Sequence, residues 1–66
     1  MQDYLLVYMD LHQTAIQEIL DQHQIHQWER LVYLPASDTW IMSVRADEQT
    51  ISACRASGVE TYVQAK

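Results

Sequence analysis

Sixty-six residues hold one small domain (1–66): 48% of them are hydrophobic, 20% are charged, and the formal net charge is −5. Such apolar content excludes a disordered tail, a single Cys excludes an intrachain disulfide framework, and the longest apolar run, Tyr4 to Met9, falls far short of the ~20 residues of a membrane helix. Four Lys and Arg against nine Asp and Glu argue against nucleic acid as a partner, because neutralising phosphate supplies much of that affinity.

Asp3 to Met9 reads as a strand that is apolar on both parities, with Leu5, Val7 and Met9 on one side and Tyr4, Leu6 and Tyr8 on the other, as in the middle of a sheet. Asp10 fits a helix N-cap, with Gln13 at capping-box spacing. Leu11, Ala15, Ile16, Ile19, Leu20 and His23 then recur at helical spacing and form one apolar stripe, which fades around Gln24 to His26. Five of the eight glutamines fall between Gln13 and Gln27; set among apolar helical positions, they solvate a helix face.

Trp28 to Leu34 and Thr39 to Arg45 are two further strands, and Pro35-Ala36-Ser37-Asp38 between them is a turn, which makes the pair a hairpin. Asp47 caps a short second helix through Ile51, Ala53, Cys54 and Ala56, with Gly58 at its C′ position. Val59 to Val63 closes the chain as a fourth strand. The order is βαββαβ, an α+β arrangement that resembles the ferredoxin-like plait: a four-stranded antiparallel sheet with both helices on one face. That fold serves many functions and selects none of them.

The residues offer little for chemistry. His23 and His26 stand three apart near Asp21 and Glu29, but a metal needs more convincing ligands than these, and His12 has no obvious partner. Cys54 lacks a second Cys and reads as a small core residue beside Arg55. Gly58 alone cannot form a phosphate-binding loop. Ser37 and Asp38 suit their turn, and the adjacent Asp47-Glu48 suit the positive end of a helix. The expectation is therefore no enzyme, no cofactor and no metal.

Register is more informative. With Ala36-Ser37 as a two-residue loop, Tyr33 lies opposite Trp40, Val32 opposite Ile41, Leu31 opposite Met42 and Arg30 opposite Ser43. Leu31, Tyr33, Trp40, Met42 and Val44, with Leu5, Val7, Met9, Val59 and Val63, then belong under the helices. The opposite face collects Tyr4, Leu6, Tyr8, Trp28, Arg30, Val32, Leu34, Ile41, Arg45 and Tyr62, too apolar for bare water.

Size points the same way. Folding such a chain buries roughly 6,800 Å². If a little over half of that is apolar, burial returns on the order of 100 kcal/mol, and ordering the residues at ~1.5 kcal/mol each costs about as much. A second protein surface is the natural supplement. The sequence thus predicts a cytoplasmic, non-enzymatic interaction module, a regulator or assembly factor whose open face meets a second copy of itself or a larger protein. The lone thiol and a start without a basic signal region carry the location. Three rival readings rest on weaker features. An acidic surface including Asp21, Asp47 and Glu48 suggests an inhibitor that occupies a partner enzyme's nucleic-acid site. The fold also admits a small-ligand sensor at a dimer interface. Sheet tyrosines beside Arg30 and Arg45 suggest single-stranded nucleic acid.

Overall fold

The computed structural model describes residues 1–64. Strand β1 (Gln2–Met9) leads through a 3-10 turn (Asp10–His12) into helix α1 (Gln13–Gln22). Strands β2 (Trp28–Leu34) and β3 (Thr39–Ala46) flank a second 3-10 turn (Pro35–Ser37), and helix α2 (Glu48–Ala56) precedes strand β4 (Glu60–Val63). The sheet order is β2-β3-β1-β4, antiparallel throughout, so the βαββαβ plait is the fold.

The core lies between the helices and one side of the sheet. β1 contributes Tyr4, Leu6 and Tyr8, and β3 contributes Met42, Val44 and Ala46. Ile16 and Leu20 of α1, Ile51 and Cys54 of α2, and Ile25 and Val59 just past the helix ends close it from above. This reverses the expected orientation of β1: Leu5, Val7 and Met9 face away from the helices. Either parity of β1 is apolar enough to be core, and pairing with β3 decides, setting Tyr4 opposite Val44 and Leu6 opposite Met42. Leu31, Tyr33 and Val63, also expected inside, are exposed.

The helix starts are built differently from one another. Asp10 does not cap α1. Its backbone N–H donates to the Asp38 carbonyl at 3.1 Å, and its Oδ1 accepts from Trp40 Nε1 at 2.8 Å, so the carboxylate ties the end of β1 to the hairpin instead. The extra 3-10 turn also takes Leu11 out of the apolar stripe and leaves it 68% exposed. His23, the C-cap residue, is exposed as well. Asp47 does cap α2: its Oδ1 accepts from the Thr50 backbone N–H at 3.1 Å and also from the buried Thr50 hydroxyl. These bonds hold the Asp47 carboxyl below its ordinary pKa.

The helix ends are alike. At α1, the Ile25 N–H donates to Leu20 O at 2.8 Å and Gln24 N–H to Asp21 O at 3.1 Å; at α2, Val59 N–H donates to Cys54 O at 3.3 Å and Gly58 N–H to Arg55 O at 3.0 Å. Both are Schellman closures, in which the residue after the turn packs on the helix's last apolar position. Accordingly Ile25 and Leu20 are buried, as are Val59 and Cys54. The left-handed residue is Gly58 in one (φ 90°) and Gln24 in the other (φ 57°).

Three outcomes follow from these termini. Gln24→Gly relieves a left-handed strain of about 1–2 kcal/mol while adding some unfolded-chain entropy, for a net gain of about 0.5–1 kcal/mol in urea denaturation. Gly58→Ala does the reverse and loses about 1 kcal/mol; its new Cβ meets only the His12 ring, at an ordinary 3.9 Å, so backbone conformation is the cause. Asp47→Ala lowers the melting temperature by several degrees at neutral pH. Because the folded pKa of Asp47 is depressed, its contribution is present above the ordinary value of 3.8 and is lost as pH falls through the folded value. Melting curves of wild type and variant therefore converge in acid; a gap unchanged down to pH 2 refutes the capping role.

Candidate interaction surface

Cross-strand neighbours in a sheet share a face, so the register fixes what lies opposite the helices. Leu5 stands between Ser43 and Tyr62, and Val7 between Ile41 and Glu60. Ile41 in turn neighbours Val32, and Thr39 neighbours both Met9 and Leu34. Leu5, Val7 and Ile41 form a half-buried centre, and Val32, Leu34, Met9 and Tyr62, between 41% and 53% exposed, surround it. Among the described residues no helix packs on this side, so a continuous apolar surface meets solvent.

Polar groups are confined to its rim and one central hydroxyl. At one end Arg45 Nη1 and Asp3 Oδ1 form an ion pair at 3.3 Å. On the edge strands, Glu29 of β2 pairs with Ser43 of β3, and Glu60 at the start of β4 pairs with Val7 of β1. Tyr62 Oη donates to Glu60 Oε2 at 3.2 Å, which raises the phenol's pKa. Ser43 Oγ donates to Gln64 Oε1 at 3.2 Å.

Of the ten residues expected on this face, Val32, Leu34, Ile41, Arg45 and Tyr62 lie there. Tyr4, Leu6 and Tyr8 are core residues, at most 3% exposed. Burial raises the pKa of the Tyr4 phenol, and Glu48, which accepts its hydrogen bond at 3.4 Å, adds to that. Burial likewise raises that of Tyr8, whose Oη has no hydrogen-bond partner and whose shift is partly offset by Arg30.

Trp28 and Arg30 lie on the helix side of β2 because of a bulge. From Leu34 to Val32 the hairpin keeps the expected register, but the pairing slips by one residue between Val32 and Arg30. Trp28 thus faces Val44 instead of Arg45, and Arg30 faces Met42 instead of Ser43. The Arg30 guanidinium stacks 4.9 Å from the Trp28 ring centre, a cation–π contact. Beyond the bulge, the Tyr33 and Trp40 rings meet at 4.7 Å, and Tyr33 Oη donates to Asp38.

Leu5, Val7 and Met9 are the face residues that sequence reasoning set in the core. The signal for them was Asp3, the charged residue of the strand, which shares their parity and marks the solvent side. With Tyr4 and Tyr8 buried, Tyr62 is the aromatic residue left on the open face among the described residues, so a base-stacking platform on β1 does not exist.

Other chemistry is sparse. Cys54 is fully buried on α2, and burial pushes its thiol pKa up, away from the reactive thiolate. Among the described residues no three His, Cys, Asp or Glu side chains gather as metal ligands, and no helix is long and apolar enough to cross a membrane. A cleft of about 240 Å³ at one end of the sheet brings His12 and Glu60 together with Thr39 and Gly58. His12 Nδ1 and Gln13 Oε1 are buried without partners near the start of α1. The chain matches no protein-family model, and no curated protein and no solved structure matches it significantly.

Proposed function

We propose that this protein is a non-enzymatic interaction module, a regulator or assembly factor that binds another protein through the open face of its sheet. The observation that carries the reading is the continuous apolar surface of Leu5, Val7, Ile41, Val32, Leu34, Met9 and Tyr62 on a domain that has helices over its other face only. Single exposed apolar residues are ordinary, whereas a contiguous patch spread over four strands marks an interaction site. The rim is polar and the centre is not, the usual anatomy of a protein interface. A buried free thiol suits a reducing compartment such as the cytoplasm.

Val7→Glu and Ile41→Glu place a carboxylate at the centre of the face while leaving the core side of each strand unchanged. Both variants are expected to keep the far-UV circular dichroism spectrum and, at concentrations too low for self-association, to bind the hydrophobic dye ANS less than wild type does. Both are also expected to lose association with protein partners by at least about a hundredfold, since a charge in a desolvated interface centre goes unpaired. Folded variants that associate as well as wild type would overturn the reading.

A further inference from the structure

We infer that the occupant of the open face is a second copy of this chain, packed sheet against sheet about a two-fold axis; this rests on the open face being the interaction surface and goes on to name its partner and geometry. Area is the first support. Four strands spaced ~4.8 Å apart, of seven, eight, eight and four residues at ~3.3 Å per residue, present a face of roughly 430 Å². Two such faces together bury on the order of 900 Å², the size of a small, reversible interface.

Charge is the second support. Arg45 and Asp3 already neutralise one another on the face. Its remaining carboxylates among the described residues, Glu29 and Glu60, sit at diagonally opposite corners: Glu29 near the start of β2, level with Ser43, and Glu60 at the start of β4, level with Val7. A two-fold axis in the plane of contact, near the strand direction or across it, sets each glutamate over a corner that holds none. Such a pairing brings no like charges together although each chain carries −5. Sheets packed in this aligned way cross at about 30°.

The edges are the third support, because they close the competing route of extending the sheet. An antiparallel two-fold pairing of β2 with β2 needs an unbroken alternation of faces, and the bulge between Arg30 and Val32 interrupts it in mid-strand. A shorter pairing on Trp28 to Arg30 sets Glu29 against Glu29, and Pro35 ends the strand on the other side. β4, the other edge, has four residues and begins with Glu60. Bulges, charges and short strands are the devices that stop edge-to-edge growth.

Sedimentation equilibrium of the full chain across the micromolar range, with cross-linking by a short bis-maleimide, tests this. Wild type is expected to be a reversible dimer with a micromolar dissociation constant, and Ile41→Glu to raise that constant at least about a hundredfold. Ser43→Cys, at the centre of the face, cross-links in pairs, whereas Glu18→Cys on α1 does not; the native Cys54 is buried and stays silent. A dimer that survives Ile41→Glu and cross-links through Glu18→Cys overturns both this inference and the open-face reading. A monomer at every concentration that retains one host protein lost by Ile41→Glu overturns the second copy alone and leaves the open-face reading standing.

Discussion

Every position in the sheet follows from one pairing, β1 against β3, with Tyr4 beside Val44 and Leu6 beside Met42. A strand's side chains alternate strictly between two faces, and two helices cover one face only. A central strand that is apolar on both parities must therefore send half its apolar side chains toward water. Here Tyr4, Leu6 and Tyr8 go inward, which commits Leu5, Val7 and Met9 to the other side. The apolar surface is thus a consequence of how the core is filled.

That choice bears on the core's chemistry. Two tyrosines at the buried parity bring large apolar rings but also hydroxyls that need partners. Tyr4 finds Glu48 at the first turn of α2, so its phenol links the sheet to the same helix start that Asp47 caps. Tyr8 finds none. Burial disfavours ionisation of both phenols. Since their folded pKa values lie above the ordinary 10.0, the stabilisation tied to the neutral phenols holds below that pH and is lost above it, as pH rises through the folded values.

Elements with strong local signals were legible in the sequence: the four strands, the second helix, the body of the first, the Pro35 turn, the Asp47 cap and the Gly58 terminus lie where composition and spacing set them. What failed was parity and register. A cap needs only one side chain and a backbone a few residues away, and Asp47 had both. Asp10 had the right spacing too, but Trp40, thirty residues on, competes for its carboxylate. The face of β1 depends on a partner strand more than thirty residues distant, and local hydrophobicity is silent where both parities are apolar. The bulge near Leu31 left no Gly or Pro as a marker, yet it moved Trp28 and Arg30 across the sheet. An apolar open face was nonetheless legible, because any register must leave one side of this sheet uncovered.

The bulge also decides which parts of β2 contribute to the open face. Without it, Trp28 and Arg30 would extend the open face along the edge strand, and the strand's outer edge would run regular for seven residues. With it, they stack against each other on the helix side, and the strand's free edge is irregular in the middle. Glu29 to Leu34 are all exposed, and of these Val32 and Leu34 add apolar surface to the face, next to Ile41 and Thr39. One slipped residue both concentrates the apolar surface over β1 and β3 and denies a second chain a regular edge. The stickiest surface therefore lies on the two strands best anchored by the core behind them, where Leu5 and Val7 alternate with Tyr4, Leu6 and Tyr8. A partner docked there, as proposed, would meet strands already ordered by the core behind them, which lowers the ordering cost of binding.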